Sequence, residues 1–396
     1  MDIYEEAVLL HKKLKGKLEV TPKVEVKDKH DLSLVYTPGV AEVSREIAED
    51  PELAYDLTIK GNSVAVVSDG SAVLGLGNIG PYGAIPVMEG KALLFKEYAN
   101  IDAFPITVAT QESFEIINLV KNISPMFAGI NLEDIAAPRC FEIEEALQGI
   151  GIPVFHDDQH GTAIVILAAL INAAKLADKK LTDLKVVING AGAAGTAVAN
   201  ILLCVGQDKT VCEPVKEVIV CDSKGIITRT RNDIQNNQWK QRLASITNRN
   251  NLEGDLGDAL VDADVFIGVS KGNVLNGELI KKMADKPIIF AMANPTPEIM
   301  PDVAKENGAF IVGTGRSDMP NQINNVLAFP GVFRGAIDAR AKTITNSMKI
   351  AAAFALAKCV ENPTVDNIIP SPLDKTVPQK IAQAVKEAWN KDKNLL

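Results

Sequence analysis

The chain predicts an α/β fold: an N-terminal α/β catalytic domain over residues 1–160, then a Rossmann-type parallel-sheet dinucleotide-binding domain over 161–396, closed by C-terminal helices. Three observations predict it. The turn Gly190-Ala191-Gly192-Ala193-Ala194-Gly195 lies between an apolar strand (184–189) and an apolar helix (196–205). Three further apolar runs, 264–269, 287–292 and 309–313, alternate with helical stretches. Upstream, two apolar runs each end in adjacent carboxylates, Glu133-Asp134 and Asp157-Asp158.

The bulk numbers narrow the class. A chain of 396 residues, 47% hydrophobic, can bury two ordinary cores. A net charge of −9 argues against nucleic acid or an anionic membrane as the main partner. Five scattered cysteines, an odd count, predict reduced thiols in a cytoplasmic protein. The first residues carry no signal-peptide core, and the apolar run after Gly161 is too short to span a bilayer.

In chain order, residues 4–15 have a weak helical period. Residues 32–36 read as an extended run meeting Thr37-Pro38-Gly39, with Tyr36 beside the bend. Its phenol is either half-buried packing or a placed proton donor. Residues 63–68 form a buried strand. Gly75-Leu76-Gly77-Asn78-Ile79-Gly80 matches G-x-G-x-x-G, but Pro81 and Pro86 follow, so no long helix is predicted there. Its glycines instead allow a backbone or small substrate to approach closely. Lys91 precedes an apolar run, 92–95. It is an exposed strand-start lysine, or one drawn inward to act as a base. A strand follows within 98–109 and a helix over 112–121.

The two carboxylate pairs are 24 residues apart (158 − 134), room for a crossover helix (140–148) and a second strand (152–155). In a parallel sheet both pairs leave at one C-terminal edge, where α/β folds bind ligands. Either Asp158 or Gln159 caps the following helix, or clustered oxygens hold Mg²⁺ or Mn²⁺. His156 and His160 flank the second pair, but no zinc spacing is present.

In the second half, the first glycine of the Gly190–Gly195 motif makes the turn, the second admits a pyrophosphate, and the third lets helix and strand pack. Asp222 ends the next strand, 32 residues after Gly190 (222 − 190), the excess lying in a polar insert at 207–216. There it predicts a ribose hydrogen bond and NAD, while Ser223-Lys224 leaves NADP possible. Asn294-Pro295-Thr296 and Asn324-Asn325 follow strands and face the nicotinamide end, unless Asn-Pro-Thr is simply a turn. Residues 336–358 and 378–391 read as helices.

A nicotinamide cofactor, clustered carboxylates, a lysine and a tyrosine suit oxidation of a hydroxy acid followed by β-decarboxylation. The sequence resembles the malic enzyme family through Tyr36-Thr37-Pro38-Gly39-Val40, Leu74 to Gly80, Gly90-Lys91, Leu132-Glu133-Asp134, Phe155 to Ala163, Gly190 to Gly195, Asn294-Pro295-Thr296 and Asn324-Asn325 before Phe329-Pro330-Gly331. The resemblance is to the short bacterial form. It implies conversion of malate to pyruvate and CO₂ with reduction of NAD or NADP. Glu133, Asp134 and Asp158 then hold Mg²⁺ or Mn²⁺. Lys91 takes the malate hydroxyl proton, Tyr36 protonates enolpyruvate at C3, and Asp157 orients Lys91 or replaces it as base. Asn294 and Asn325 contact substrate and nicotinamide. A homodimer is implied. One departure stands out: larger members carry a substrate-carboxylate arginine where this chain reads Ala72-Val73-Leu74-Gly75. The alternatives are a malolactic enzyme, which keeps its NADH and releases lactate, and a non-catalytic NAD-binding sensor.

Overall fold

Val64-Ala65-Val66-Val67 is apolar at every position, as a strand covered on both faces requires. It forms the centre of β1 (Ser63–Ser68), buried throughout. The computed structural model describes residues 2–73, 75–207 and 211–393. Leu74, in the glycine loop, and 208–210, in the polar insert, lie outside the described residues.

β1 is joined by β2 (Asp102–Thr107), β3 (Gly129–Leu132) and β4 (Val154–His156) in a parallel sheet of order β2-β1-β3-β4. Leu132 pairs with His156. Glu133-Asp134 and Asp157-Asp158 therefore leave the sheet at one edge, as their spacing predicts. The second sheet contains β5 (Lys185–Asn189), β6 (Glu217–Asp222), β7 (Gly225–Ile226), β8 (Val265–Gly268), β9 (Ile288–Ala291) and β10 (Ile311–Thr314). Its order is β10-β9-β8-β5-β6-β7, parallel except for β7, an antiparallel edge not foreseen from sequence. The order turns back at β5, which places the glycine turn after it at the switch point of the sheet.

The Asp157–Leu176 helix links the two sheets and packs on the Ala193–Leu202 and Asn346–Lys358 helices. At 20 residues it outruns the apolar stretch seen in sequence and could cross a membrane by length and composition, but it is mostly buried inside the protein. Its first turn holds both Asp157 and Asp158, with His156 as N-cap. The Phe329–Asp338 helix returns to the first sheet. There Phe329 and Phe333 meet Phe95 edge-on, at 4.7 and 5.2 Å between ring centres, and Phe333 meets Phe155 at 5.7 Å.

Several expectations are corrected. The run before Thr37 is a helix, Lys29–Val35, started by the Asp28 side chain accepting from the Asp31 N–H. A long helix does open after the glycine loop: Gly80–Ala99, with Pro81 in its first turn and Pro86 inside. Proline at the start costs nothing because that N–H has no partner, and burial of Ala84, Met88, Ala92 and Phe95 outweighs Pro86. Lys91 therefore rides on a helix, not at a strand start. The glycine loop still allows close approach: a side chain on Gly75 would sit 2.3 Å from the Asn294 carbonyl oxygen. Cys204 and Cys212 form a disulfide, against the expectation of five free thiols. The turn after the Ala193–Leu202 helix brings their Cα atoms to 5.7 Å. The predicted helix over 336–358 is two, Phe329–Asp338 and Asn346–Lys358, broken where Ala341 and Ile344 are drawn into the core.

Candidate active site

Helix and strand ends converge at the C-terminal edges of both sheets. A cavity of about 380 Å³ there is lined by Lys91, Glu133, Asp134, Asp158, Asn294 and Asn325 among others. Carboxylate oxygens of Glu133, Asp134 and Asp158 all lie within 4.8 Å of one another. The Asp134 N–H donates to Asp158 Oδ2 at 2.8 Å, and the Asn131 amide to Glu133 Oε2 at 2.9 Å.

Lys91 Nζ lies 2.7 Å from Glu133 Oε1 and 2.6 Å from Asp157 Oδ2. It also sits over the Phe329 ring, 4.2 Å from its centre. Burial disfavours its charge, yet Asp157 and Glu133 outweigh burial and hold the ammonium above the usual lysine range. Glu133 is raised as well: burial, and the charges of Asp158, Asp157 and Asp134, push its carboxyl well above normal despite Lys91. Glu133, Asp134 and Asp158 cluster at the cavity with Lys91 as the one cation lining it, a set that fits a divalent cation. Asp157 is 0% exposed and lies behind the cavity wall, where its Oδ2 also accepts from the Asn325 amide at 3.0 Å. It is placed to orient Lys91. Thr162, not singled out in the sequence, donates to Asn325 Oδ1 at 3.2 Å.

The dinucleotide turn opens on a neighbouring groove of about 700 Å³ lined by Gly190, Ala191, Gly192, Asp222, Lys240 and Ser270 among others. A side chain at Gly190 would strike the Val269 carbonyl at 2.6 Å, and one at Gly195 the Gly190 carbonyl at 1.7 Å. Gly192 faces open space, as approach of a pyrophosphate needs. Ala193 starts the following helix, and Ala194 in its first turn lines the carboxylate-bearing cavity, so groove and cavity share a wall.

Asp222 ends β6 in the groove, but both its oxygens are already engaged. Arg231 spans them at 2.9 and 3.0 Å, and Lys240 lies 2.6 Å away. Burial opposes its charge, but these two cations still hold its carboxyl below the usual range. No local pattern in the sequence flags this pairing, because Arg231 and Lys240 arrive from the polar segment after β7.

Two family domains match this sequence: the malic enzyme N-terminal domain over residues 15–114 and the malic enzyme NAD-binding domain over 159–389. The chain belongs to the malic enzyme family. It is 55% identical to the bifunctional malic/malolactic enzyme of Bacillus subtilis, over 98% of this chain and 93% of that protein. It is equally identical to the NAD-dependent malic enzyme of Geobacillus stearothermophilus, over 98% and 79%. The crystal structure of an NAD-dependent malic enzyme from Thermotoga maritima superposes with a TM-score of 0.91 at 53% identity, covering 98% of this chain and 99% of that one. The protein is thus an NAD(P)-dependent malic enzyme by family.

Against that frame the predicted residues fall into two groups. Lys91, Glu133, Asp134, Asp157, Asp158, Asn294 and Asn325 come together at one cavity. Gly190 to Gly195 and Asp222 adjoin it. Tyr36 does not join them within one chain: it ends the Lys29–Val35 helix and is 67% exposed. Nor does an arginine line the substrate cavity among the described residues, where Lys91 is the sole cationic side chain.

Proposed function

We propose that the enzyme oxidatively decarboxylates (S)-malate to pyruvate and CO₂ while reducing NAD or NADP, with Mg²⁺ or Mn²⁺. The observation that carries this is the convergence of Glu133, Asp134 and Asp158 beside the Lys91–Asp157 pair, at a cavity sharing a wall with the dinucleotide groove.

Glu133, Asp134 and Asp158 would hold the metal. A divalent cation held there would supply Lewis acidity for the oxygen of the oxidised substrate. Lys91 is in place to accept the hydroxyl proton once Glu133, one of the two anions that hold it charged, is neutralised. Asp157 keeps its grip on Lys91 Nζ and fixes where the nitrogen points. Asn294 and Asn325 offer amide donors to the substrate's carboxylates in place of the absent arginine. Ala194 and the glycine turn set the nicotinamide end of the cofactor against the same cavity.

Tyr36 is the proposed acid for enolpyruvate, supplied by a second chain. The Ile3–Leu14, Lys29–Val35 and Val40–Glu49 helices contain no buried residue, and Ile3, Tyr4, Val8, Leu9, Leu10 and Leu14 are exposed. Apolar surface of that extent marks an interface. A homodimer paired through this segment is the reading it supports.

The B. subtilis relative's bifunctional name favours malolactic turnover as the second reading. Mixing the enzyme with malate, NAD and Mn²⁺ tests the first: NADH absorbance should rise only when all three are present. Cofactor binding without turnover would leave only a sensor.

A further inference from the structure

A second cavity lies against the first turn of the Asp157–Leu176 helix, its outer mouth bounded by Phe141 and Trp239, which also line the dinucleotide groove. Helices converge on it: the first turn of Asp157–Leu176, Ala193–Leu202, Gln238–Ile246 and the first turn of Asn346–Lys358. It has an outer lobe of about 400 Å³ and an inner lobe of about 140 Å³. Gln159, His160, Asn200, Arg242, Asn346 and Lys349 line both lobes. Even the inner lobe far exceeds the ~15 Å³ that one water needs.

The chemistry of this wall is one-sided. Among the described residues lining the inner lobe none is a carboxylate, while Arg242 and Lys349 are both cations. Arg242 makes no ion pair with any described residue. Lys349 has no carboxylate within ion-pair distance among them; its Nζ donates to His160 Nδ1 at 3.2 Å and to the Asn346 amide oxygen at 3.4 Å. Glu144's charge reaches this half-buried ammonium from beyond ion-pair distance, and an anion in the cavity would give it a direct partner. Glu144 lines only the outer lobe and is already engaged. It lies 2.9 Å from His160 Nε2, and it accepts from the Gln159 amide at 2.9 Å and the His156 N–H at 3.1 Å. Glu145 stands exposed at the outer mouth. Amides of Gln159, Asn200 and Asn346 supply neutral donors around the two cations. Neither the proton-transfer scheme nor the cofactor groove uses any of these groups.

We propose that this cavity is a binding site for a small oxyanion, of the phosphate or carboxylate class, held between Arg242 and Lys349 and separate from the substrate and cofactor sites. Arg242 provides a planar fork suited to two oxygens, Lys349 a half-buried point charge, and the amides the remaining hydrogen bonds. The site abuts the first turn of the helix that carries Asp157 and Asp158, through His160 and Glu144.

Calorimetric titration of the full-length enzyme tests this. Inorganic phosphate is added with NAD saturating, so that the dinucleotide groove is filled, and with metal and malate absent. A parallel titration uses succinate and separates the two anion classes. The expected result is saturable binding of at least one of the two anions, weakened about tenfold or more by Arg242→Ala and by Lys349→Gln, since a charge-assisted bond of this kind is worth about that factor. Lys240→Ala, altered in the cofactor groove, should leave the binding unchanged, and Arg242→Ala should keep the NAD affinity of the native enzyme. Absence of saturable binding for both anions overturns the proposal. So does undiminished affinity in Arg242→Ala, or a loss that follows Lys240→Ala instead.

Discussion

Lys91 Nζ and Asp157 Oδ2 lie 2.6 Å apart, and Asp157 is closed off from the cavity that Lys91 faces. In the proposed scheme the lysine meets substrate, while the hydrogen-bond partners of the aspartate side chain among the described residues are the lysine and Asn325. This divides two adjacent residues, Asp157 and Asp158, between proton transfer and metal binding. Lys91→Ala should lower kcat for malate oxidation by about 10²-fold or more, the usual contribution of a placed acid–base group. Mn²⁺ should bind at least as tightly, because a cation beside Glu133 has gone. Kinetics with a direct Mn²⁺ titration check both. Normal turnover would remove Lys91 from the base role.

Tyr36 carries the prediction about assembly. If its phenol serves the partner's cavity, Tyr36→Phe and Lys91→Ala chains are each nearly inactive but complement one another. Random mixing makes half of the dimers mixed, each with one intact site, so about a quarter of native activity should return. Unfolding and refolding the mixture before assay measures this. No recovery would place Tyr36 and Lys91 of one chain at the same site, or exclude Tyr36.

Asp222 bears on cofactor choice. A free carboxylate at that strand end repels a 2′-phosphate, but here Arg231 and Lys240 offset it. NAD and NADP should therefore differ by only about tenfold in kcat/KM, a difference worth about 1.4 kcal/mol. Arg231→Ala strips one cation and should move the ratio about tenfold or more toward NAD. Steady-state kinetics with both cofactors decides, and an unchanged ratio would show that Arg231 does not govern the choice.

Much of this was legible in the sequence, for physical reasons. Strands buried on both faces are continuous apolar runs, so β1, β5, β6, β8, β9 and β10 announced themselves, and the spacing of two carboxylate pairs gave the edge they share. What misled was local chemistry overruled by packing. Pro81 and Pro86 argued against a helix that the burial of Met88 and Phe95 nonetheless forms. The Lys29–Val35 helix rests on one cap and exposes its apolar side chains, so no core-facing stripe marked it. Contacts between distant segments, such as Arg231 on Asp222 or Lys349 on His160, leave no local trace.

Glu144 predicts a pH dependence of stability. Burial opposes its charge, but His160, Lys349 and His156 outweigh it and bring the carboxyl down to about 2 from 4.5. A depressed carboxyl stabilises the fold above its unfolded value and loses that contribution as pH falls through its folded one. Glu144→Gln should therefore cost on the order of 1–2 kcal/mol at pH 7, less than the full shift, because burial holds His160 below its usual range and largely neutral there. The gap between native and variant should narrow as pH drops from about 4.5 toward 2. Urea unfolding at a series of pH values reads it, and a gap independent of pH would contradict the assignment.

The most direct test of the central claim is product stoichiometry. The enzyme, stripped of metal and resupplied with Mn²⁺, is given malate and NAD, and NADH, pyruvate and lactate are each quantified. Oxidative decarboxylation predicts free NADH and pyruvate in equal amounts, with turnover abolished by chelator. Lactate formed without net NADH, or undiminished turnover in chelator, would contradict it.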